Sequence, residues 1–204
     1  MSRQPAIFVA DAAALDFLNS IATPIDAPVD WIESGEGFLD WLGQAGLVDA
    51  TVIQRFLTEA APGELDAVAA EARRLRDWFR QFIQTRRGRP LSAEDLRDLE
   101  PLNRLLERDD KFTRVDAGRD GASLQLESVR RWRSPEALLQ PIGEAMAQFV
   151  CEEDFTHVKA CEGPACTLMF ADHTRGAKRR WCSMAICGNR AKQTAFRNRA
   201  RSEN

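Results

Sequence analysis

Four of the chain's five cysteines fall in its last fifth, in the segment CEGPACTLMFADHTRGAKRRWCSMAICGNRAK at 161–192. They form two C-x(4)-C pairs, Cys161/Cys166 and Cys182/Cys187, separated by fifteen residues. Two short loops that each supply two thiolates can complete the tetrahedral shell of a zinc ion, with sulfurs about 2.3 Å from the metal. Each loop is longer than the usual two-residue knuckle, and Gly163-Pro164 suits a tight turn inside the first. Two local disulfides are the competing use of these thiols. No secretory signal is legible near Met1, a reducing compartment is expected, and metal is the preferred reading. Four thiolates leave no open position for water, so the Zn2+ expected here is structural. Cys151 stands apart and is expected to be a buried core thiol. His157 and His173 lie outside the paired spacing and read as surface or interdomain groups.

Ten lysines and arginines run through residues 159–204 against three acids, Glu162, Asp172 and Glu203, a balance of +7. The remainder holds eighteen basic and twenty-eight acidic residues, or −10. Opposite signs on two parts of one chain favour a polyanionic partner for the basic part and attraction between the parts. Arg175, Lys178, Arg179 and Arg180 precede Cys182, whereas Arg190, Lys192, Arg197 and Arg201 follow Cys187 on a predicted helix. There Arg190, Thr194, Arg197 and Arg201 share one face, and Cys187, Ala191 and Ala195 can turn to the metal. Such a helix can enter a major groove while the 175–180 loop grips phosphates. A merely solvated charged face is the competing reading. Trp181 and Phe196 are expected to pack the small module, and with no tyrosine in the chain a single-strand stacking platform is disfavoured.

The elements that must position these groups are mostly helical. Ala14, Leu15, Leu18 and Ile21 recur at spacings of three and four, and FLDWLGQAG repeats the signal before a stop at Gly46. Asp49 can cap a helix through VIQRFL. The longest stripe, Leu65, Val68, Ala72, Leu75, Phe79 and Phe82, ends at Gly88 and Pro90. Ser92 and Asp95 resemble a capping box, with Pro101 dividing or kinking the helix that follows. KFTRV and ASLQLESVRRW flank the turn-rich DAGRDG and predict a β-hairpin. Ser134-Pro135 starts a helix through EALLQPIGEAMAQFV with a break at Pro141. TLMFAD alternates like a strand, and WCS is predicted to return antiparallel to it. The fold expected is therefore α+β: a mainly α-helical body with a small β-hairpin over 1–156, and a C-terminal zinc module of treble-clef-like ββα form over 157–204. With 44% hydrophobic and 29% charged residues, and no apolar run near the roughly 18 residues that span a bilayer, a soluble cytoplasmic protein without a membrane partner is expected.

CEGPAC, the FxD element of LMFADHTRGAKRRWC and WCSMAICGNRAK closely resemble the CGNR zinc finger, named for Cys187-Gly188-Asn189-Arg190. The body, with LDFLNS at 15–20 and WLGQAGLVD at 41–49, resembles the ABATE-type domain that accompanies this finger in bacterial stress-induced transcription regulators. The resemblance implies a finger that binds double-stranded DNA and an N-terminal domain that senses a small-molecule effector. A homodimer is compatible with that role.

Asp16, Asn19 and Arg76 are polar groups embedded in apolar helical stretches, the pattern of a ligand pocket or of a buried ion pair. The ion pair is the preferred reading; with Trp41 and Trp78 as walls, the same residues are the candidate effector site. There is no glycine-rich phosphate loop or nucleophile elbow, and with two histidines no hydrolytic triad stands out, so an enzyme is not expected. The alternative to a DNA-binding regulator is a zinc-stabilised protein-interaction or small-molecule-binding protein without DNA binding.

Overall fold

Apolar residues at helical spacing dominate the body, and the computed structural model, which describes residues 5–23, 28–118 and 121–193, shows how their burial lays it out. Helix α1 (Ala13–Leu18) buries Ala14, Leu15, Phe17 and Leu18 in under two turns. Two short strands that the sequence does not announce follow, β1 (Ile21–Ala22) pairing antiparallel with β2 (Val29–Asp30). Helix α2 (Gly35–Gln44) starts at Ser34, whose hydroxyl accepts from the Gly37 N–H. Helix α3 (Ala50–Glu59) follows Asp49, which occupies the cap position without making a side-chain cap bond. The long helix α4 (Glu64–Arg86) is the hub of the body.

The predicted capping box of Ser92 and Asp95 is present, on a 3-10 turn (Ala93–Leu99). Pro101 then sits in the first turn of α5 (Glu100–Leu106), where a missing N–H costs nothing. Strands β3 (Lys111–Ala117) and β4 (Leu124–Arg130) form the hairpin, with Val115 opposite Leu126. After a 3-10 turn (Pro135–Leu139), helix α6 (Gln140–Glu152) carries Pro141 in its first turn, so this proline too starts a helix. Cys151 is exposed, contrary to the sequence expectation. It lies two residues beyond the buried Phe149, about 200° round the helix and away from the core.

Strands β5 (Val158–Ala160) and β6 (Met169–Ala171) pair antiparallel, and the π-helical turn Met184–Gly188 follows them. The sequence predicts that WCS pairs with β6, and the structure corrects this. The inner edge of β6 is bonded to β5, and the body takes its outer edge. The Asn19 side-chain amide accepts from the Met169 N–H at 3.0 Å and donates to the Met169 carbonyl at 2.8 Å, while the Ala171 N–H donates to the Ala10 carbonyl at 2.9 Å. No edge is left for residues 181–183. Leu168, Met169, Phe170 and Ala171 are all buried, and they belong to one hydrophobic core continuous with the helices.

Close approach at the hub is set by size and charge. A Cβ at Gly35 would lie 2.4 Å from the Leu65 Cβ, so only glycine lets α2 rest on the start of α4. Arg76 of α4 is 2% exposed and donates two parallel bonds of 2.8 Å to the Asp30 carboxylate and a third, 2.9 Å, to the Ser20 hydroxyl. This ion pair ties β1 and β2 to α4. Removing one partner of such a pair costs about 3–5 kcal/mol because the other charge is left buried. Arg80, one turn on, donates to the Leu18 carbonyl at the end of α1.

Asp16 caps the N-terminal segment by accepting from the Val9 and Ala10 N–H groups at 3.0 and 3.1 Å. Burial pushes its carboxyl up to about 6 despite those two bonds. A folded pKa above the ordinary value of 3.8 means the stability it contributes is complete below pH 3.8 and is lost as pH rises through about 6. Asp16→Asn keeps an acceptor for both N–H groups and carries no charge. Its melting temperature is expected to equal or exceed that of the native protein at pH 7.5, with the advantage vanishing near pH 4, as followed by circular dichroism across a pH series.

Candidate metal centre and nucleic-acid interface

The four paired cysteines converge. Their sulfurs all lie within 4.8 Å of one another, and the Cys166 and Cys182 Sγ atoms are 3.9 Å apart. A tetrahedron with bonds of about 2.3 Å has edges near 3.8 Å, so the set has the size of a zinc shell. Cys161 follows β5, Cys166 closes the turn begun at Gly163, Cys182 follows the basic loop, and Cys187 lies in the π-helical turn. That turn is pinned by Ser183, whose hydroxyl accepts from the Ile186 N–H at 2.9 Å and whose carbonyl accepts from both Cys187 and Gly188 at 3.1 Å. The longer register places Cys187 back over the other sulfurs. Backbone N–H groups of Gly163 and Cys182 approach the Cys161 sulfur at 3.4 and 3.2 Å, an arrangement that stabilises a thiolate.

The donor chemistry fits a divalent cation. A hydrogen bond from Cys182 holds the Cys166 thiol down to about 5, whereas burial pushes Cys187 up to about 12 and the bond to Cys166 pushes Cys182 up further. A zinc ion allows all four to ionise, and its shell is then closed, which is the structural rather than the catalytic arrangement. Cys161, Cys166, Cys182 and Cys187 are thus the residues that hold structural zinc. Gly163 forms the floor of the cradle: a Cβ there would meet the Cys187 sulfur at 2.9 Å and the Cys166 Cβ at 3.0 Å.

The basic loop between β6 and Cys182 is organised by a residue that the charge count treats as a minor exception. Asp172 is 1% exposed, and its carboxylate accepts from the Thr174 N–H and hydroxyl, the Arg179 N–H at 2.7 Å and the Lys159 ammonium at 2.7 Å. Burial opposes its charge, but these bonds together hold it well below the usual carboxylate range. The Ala177 N–H donates to the Thr174 carbonyl at 2.9 Å, and Gly176 and Ala177 both adopt positive φ, +81° and +45°. The loop is therefore a fixed turn. Its only legible sequence signal is the aspartate of the FxD element in an otherwise basic stretch.

The predicted cations separate into two groups. Arg175, Lys178 and Arg180 are exposed on the loop, Arg180 paired at 2.6 Å with Glu162. Arg190 and Lys192 are exposed on the helical residues after the π turn. Arg179 points inward. It bonds the Asp11 carboxylate, the Val9 carbonyl at 2.7 Å and the Trp181 carbonyl at 3.0 Å, and its guanidinium lies 4.1 Å from the centre of the Phe170 ring. It is an internal tie between finger and body rather than a contact for an external anion. Arg197 and Arg201 lie outside the described residues, as does Phe196.

The candidate effector residues do not line one cavity. Asp16 caps the N-terminal segment, Asn19 clamps β6 and Arg76 pairs with Asp30. Trp41 is buried against Phe17, with ring centres 5.8 Å apart. Trp78 faces away from them, on a cleft with Leu75, Pro101 and Leu105. The histidines sit at the surface, His173 at 3.0 Å from Glu153 and His157 at 3.9 Å from Asp154.

Comparison with known families matches residues 11–153 to the ABATE domain, described as "putative stress-induced transcription regulator". The chain belongs to the ABATE family. Residues 157–200 of this ABATE protein match the CGNR zinc finger. Comparison with curated proteins gives no match. Among the described residues no helix is long and apolar enough to cross a membrane.

Crowding the cradle tests its closeness. Gly163→Ala forces a contact that costs about 1–3 kcal/mol, so zinc is expected to bind roughly five- to 150-fold more weakly. Competition with a chromophoric chelator measures this.

Proposed function

We propose that this ABATE protein regulates transcription by binding double-stranded DNA through its zinc-stiffened basic loop and the helix that follows, under the control of a small effector bound by the body. The observation that carries the reading is the loop itself. Arg175, Lys178 and Arg180 are held outward on a turn fixed by buried Asp172, beside a closed four-sulfur centre. A preformed array of cations loses little conformational freedom when it meets phosphates, and the acidic body keeps the protein from binding polyanions indiscriminately. Zinc is structural in this reading, and the function is binding rather than catalysis.

Fluorescence anisotropy of duplex DNA with the zinc-loaded protein is the test. Binding is expected to weaken steeply with salt and to vanish after chelation. Arg175→Gln with Lys178→Gln should weaken binding and reduce the log–log salt slope by about 2. Arg179→Gln should instead lower the melting temperature. Salt-independent binding, or none at low salt by the zinc-loaded intact protein, would remove the DNA reading.

The hairpin favours a dimer within the same reading. Val115, Leu124 and Leu126 are 65, 81 and 75% exposed on one face, and β3 has an unpaired outer edge in its two-stranded sheet. The bonds of Gly118 to Ser123 and of Arg131 to Asp110 set the alternation that turns Val115's backbone groups outward. A two-fold axis at Val115 sets Arg114 of each copy opposite Asp116 of the other, so a second copy of this chain is self-complementary there. Sedimentation should show a dimer that Val115→Lys with Leu126→Lys converts to monomer without loss of helicity.

A further inference from the structure

A cleft of about 460 Å³ opens where the body meets the finger, between the end of α4 and the β5–β6 pair. Arg80, Gln84 and Arg87 stand on its α4 side, at offsets of four and seven that share one helical face. Thr23 and Thr167 add hydroxyls, and Ile21, Ala22, Pro28, Ala160 and Met169 supply apolar wall. Among the described residues no aspartate or glutamate lines it.

That last feature bears on how the Arg80 charge is met. Three other arginines turned into this body have carboxylates: Arg76 has Asp30, Arg86 has Asp95, and Arg130 has Asp109 and Glu144, whereas Arg73, like Arg80, bonds backbone carbonyls. Arg80 is partly buried, and its bond to the Leu18 carbonyl uses one of five donors. Burial and the neighbouring charge of Arg76 depress its pKa, and Asp77 offsets them only in part. Among the described residues the Arg87 side chain has no carboxylate partner. A partly desolvated arginine on a cleft that a second arginine also lines, two helical turns away, is matched by an oxyanion that an arginine can bind in a forked geometry.

We propose that this cleft binds a small organic anion, with its carboxylate or phosphate head on Arg80 and Arg87 and an apolar body against Ile21, Pro28 and Met169. The volume is within the range of small-ligand sites. The proposal rests on the reading that the body controls the finger and gives that control a place. The far wall is the finger itself: Ala160 and Met169 belong to β5 and β6, and Cys166 is a zinc ligand. An anion seated there bridges α4 to the metal loop, so it would favour the docked arrangement of the two parts by its differential affinity for it.

The test uses the intact zinc-loaded protein without DNA, so its outcome is separate from that of the DNA titration. Benzoate, phenyl phosphate and inorganic phosphate are titrated by calorimetry, with benzamide as the neutral isostere of benzoate. At least one organic anion is expected to saturate, with benzamide and inorganic phosphate each about ten-fold weaker or worse. A preference for phenyl phosphate over benzoate would assign the head as phosphate, and the reverse as carboxylate. Arg87→Gln, at an exposed position with no internal partner to lose, should weaken the anion about ten-fold with unchanged melting temperature and zinc content. Thr167→Leu should block the cleft from the finger side. Failure of every anion to saturate in the millimolar range, equal binding of benzamide, or undiminished affinity in both variants would overturn the site.

Discussion

Negative charge from four thiolates in one small volume is tolerable only around a cation, and that electrostatic requirement governs the C-terminal finger of this molecule. The sulfurs come from segments with little regular structure: a turn, the bend that follows the basic loop, and a π-helical turn. None of these buries enough apolar surface to be stable alone. Once the metal binds, each is fixed at both ends. Gly163 is needed because the first loop must pass against two of the sulfurs, and Ser183 because the last turn must be wound one residue wider than an α-helix to return Cys187 to the others. The free energy of zinc binding is in this sense folding free energy.

The metal does not make the finger an independent unit. Strand β6 is the innermost strand of the finger and, through Asn19 and Ala10, an edge partner of the body. Its three residues are buried on both faces, which a freestanding module could not arrange. Arg179 adds a second tie across the same boundary by reaching Asp11 and Val9. The two ties differ in character. Asn19 satisfies backbone groups that burial would otherwise leave without partners, which makes it obligatory. Arg179 joins opposite charges that the acidic body and basic finger already bring together, so its strength depends on the surroundings of a partly exposed pair.

Much of this was legible in the sequence, and the parts that were not share a cause. The cysteine pairs point to their own convergence because ligand geometry dictates spacing. Helix positions follow from apolar periodicity, and the Ser92/Asp95 box is a local chemical signal that the structure reproduces. What periodicity cannot show is partner choice. TLMFAD reads as a strand and is one, but its partner is β5 and the amide of a residue 150 positions earlier, not the nearby WCS. Asn19, Arg76 and Asp16 look alike in sequence, as polar groups in apolar helices, yet one clamps a strand, one pairs with a carboxylate and one caps a loop. The general tendency of cysteine to be buried points Cys151 inward, but its position two residues past the buried Phe149 turns it to solvent. The β1–β2 pair is too short for any periodic signal.

Arg179 and Arg180 show how far charge counting goes and where it stops. Adjacent in sequence and identical in type, they face opposite ways because the backbone at 179 donates to buried Asp172, which turns one side chain beneath the loop and leaves the next above it. The inward arginine rests on Phe170 and holds the body; the outward one is exposed beside Glu162. A single buried carboxylate thus divides a run of positive charge into a structural part and an accessible part. The same logic applies to α4. Arg76 and Arg80 are one turn apart, but only Arg76 meets a carboxylate, and the charge left over at Arg80 opens on the cleft against the finger. In both places a buried or half-buried acid is informative: Asp172 turns Arg179 into the fold and Asp30 holds Arg76 there, whereas Arg80 meets no carboxylate among the described residues and faces the cleft.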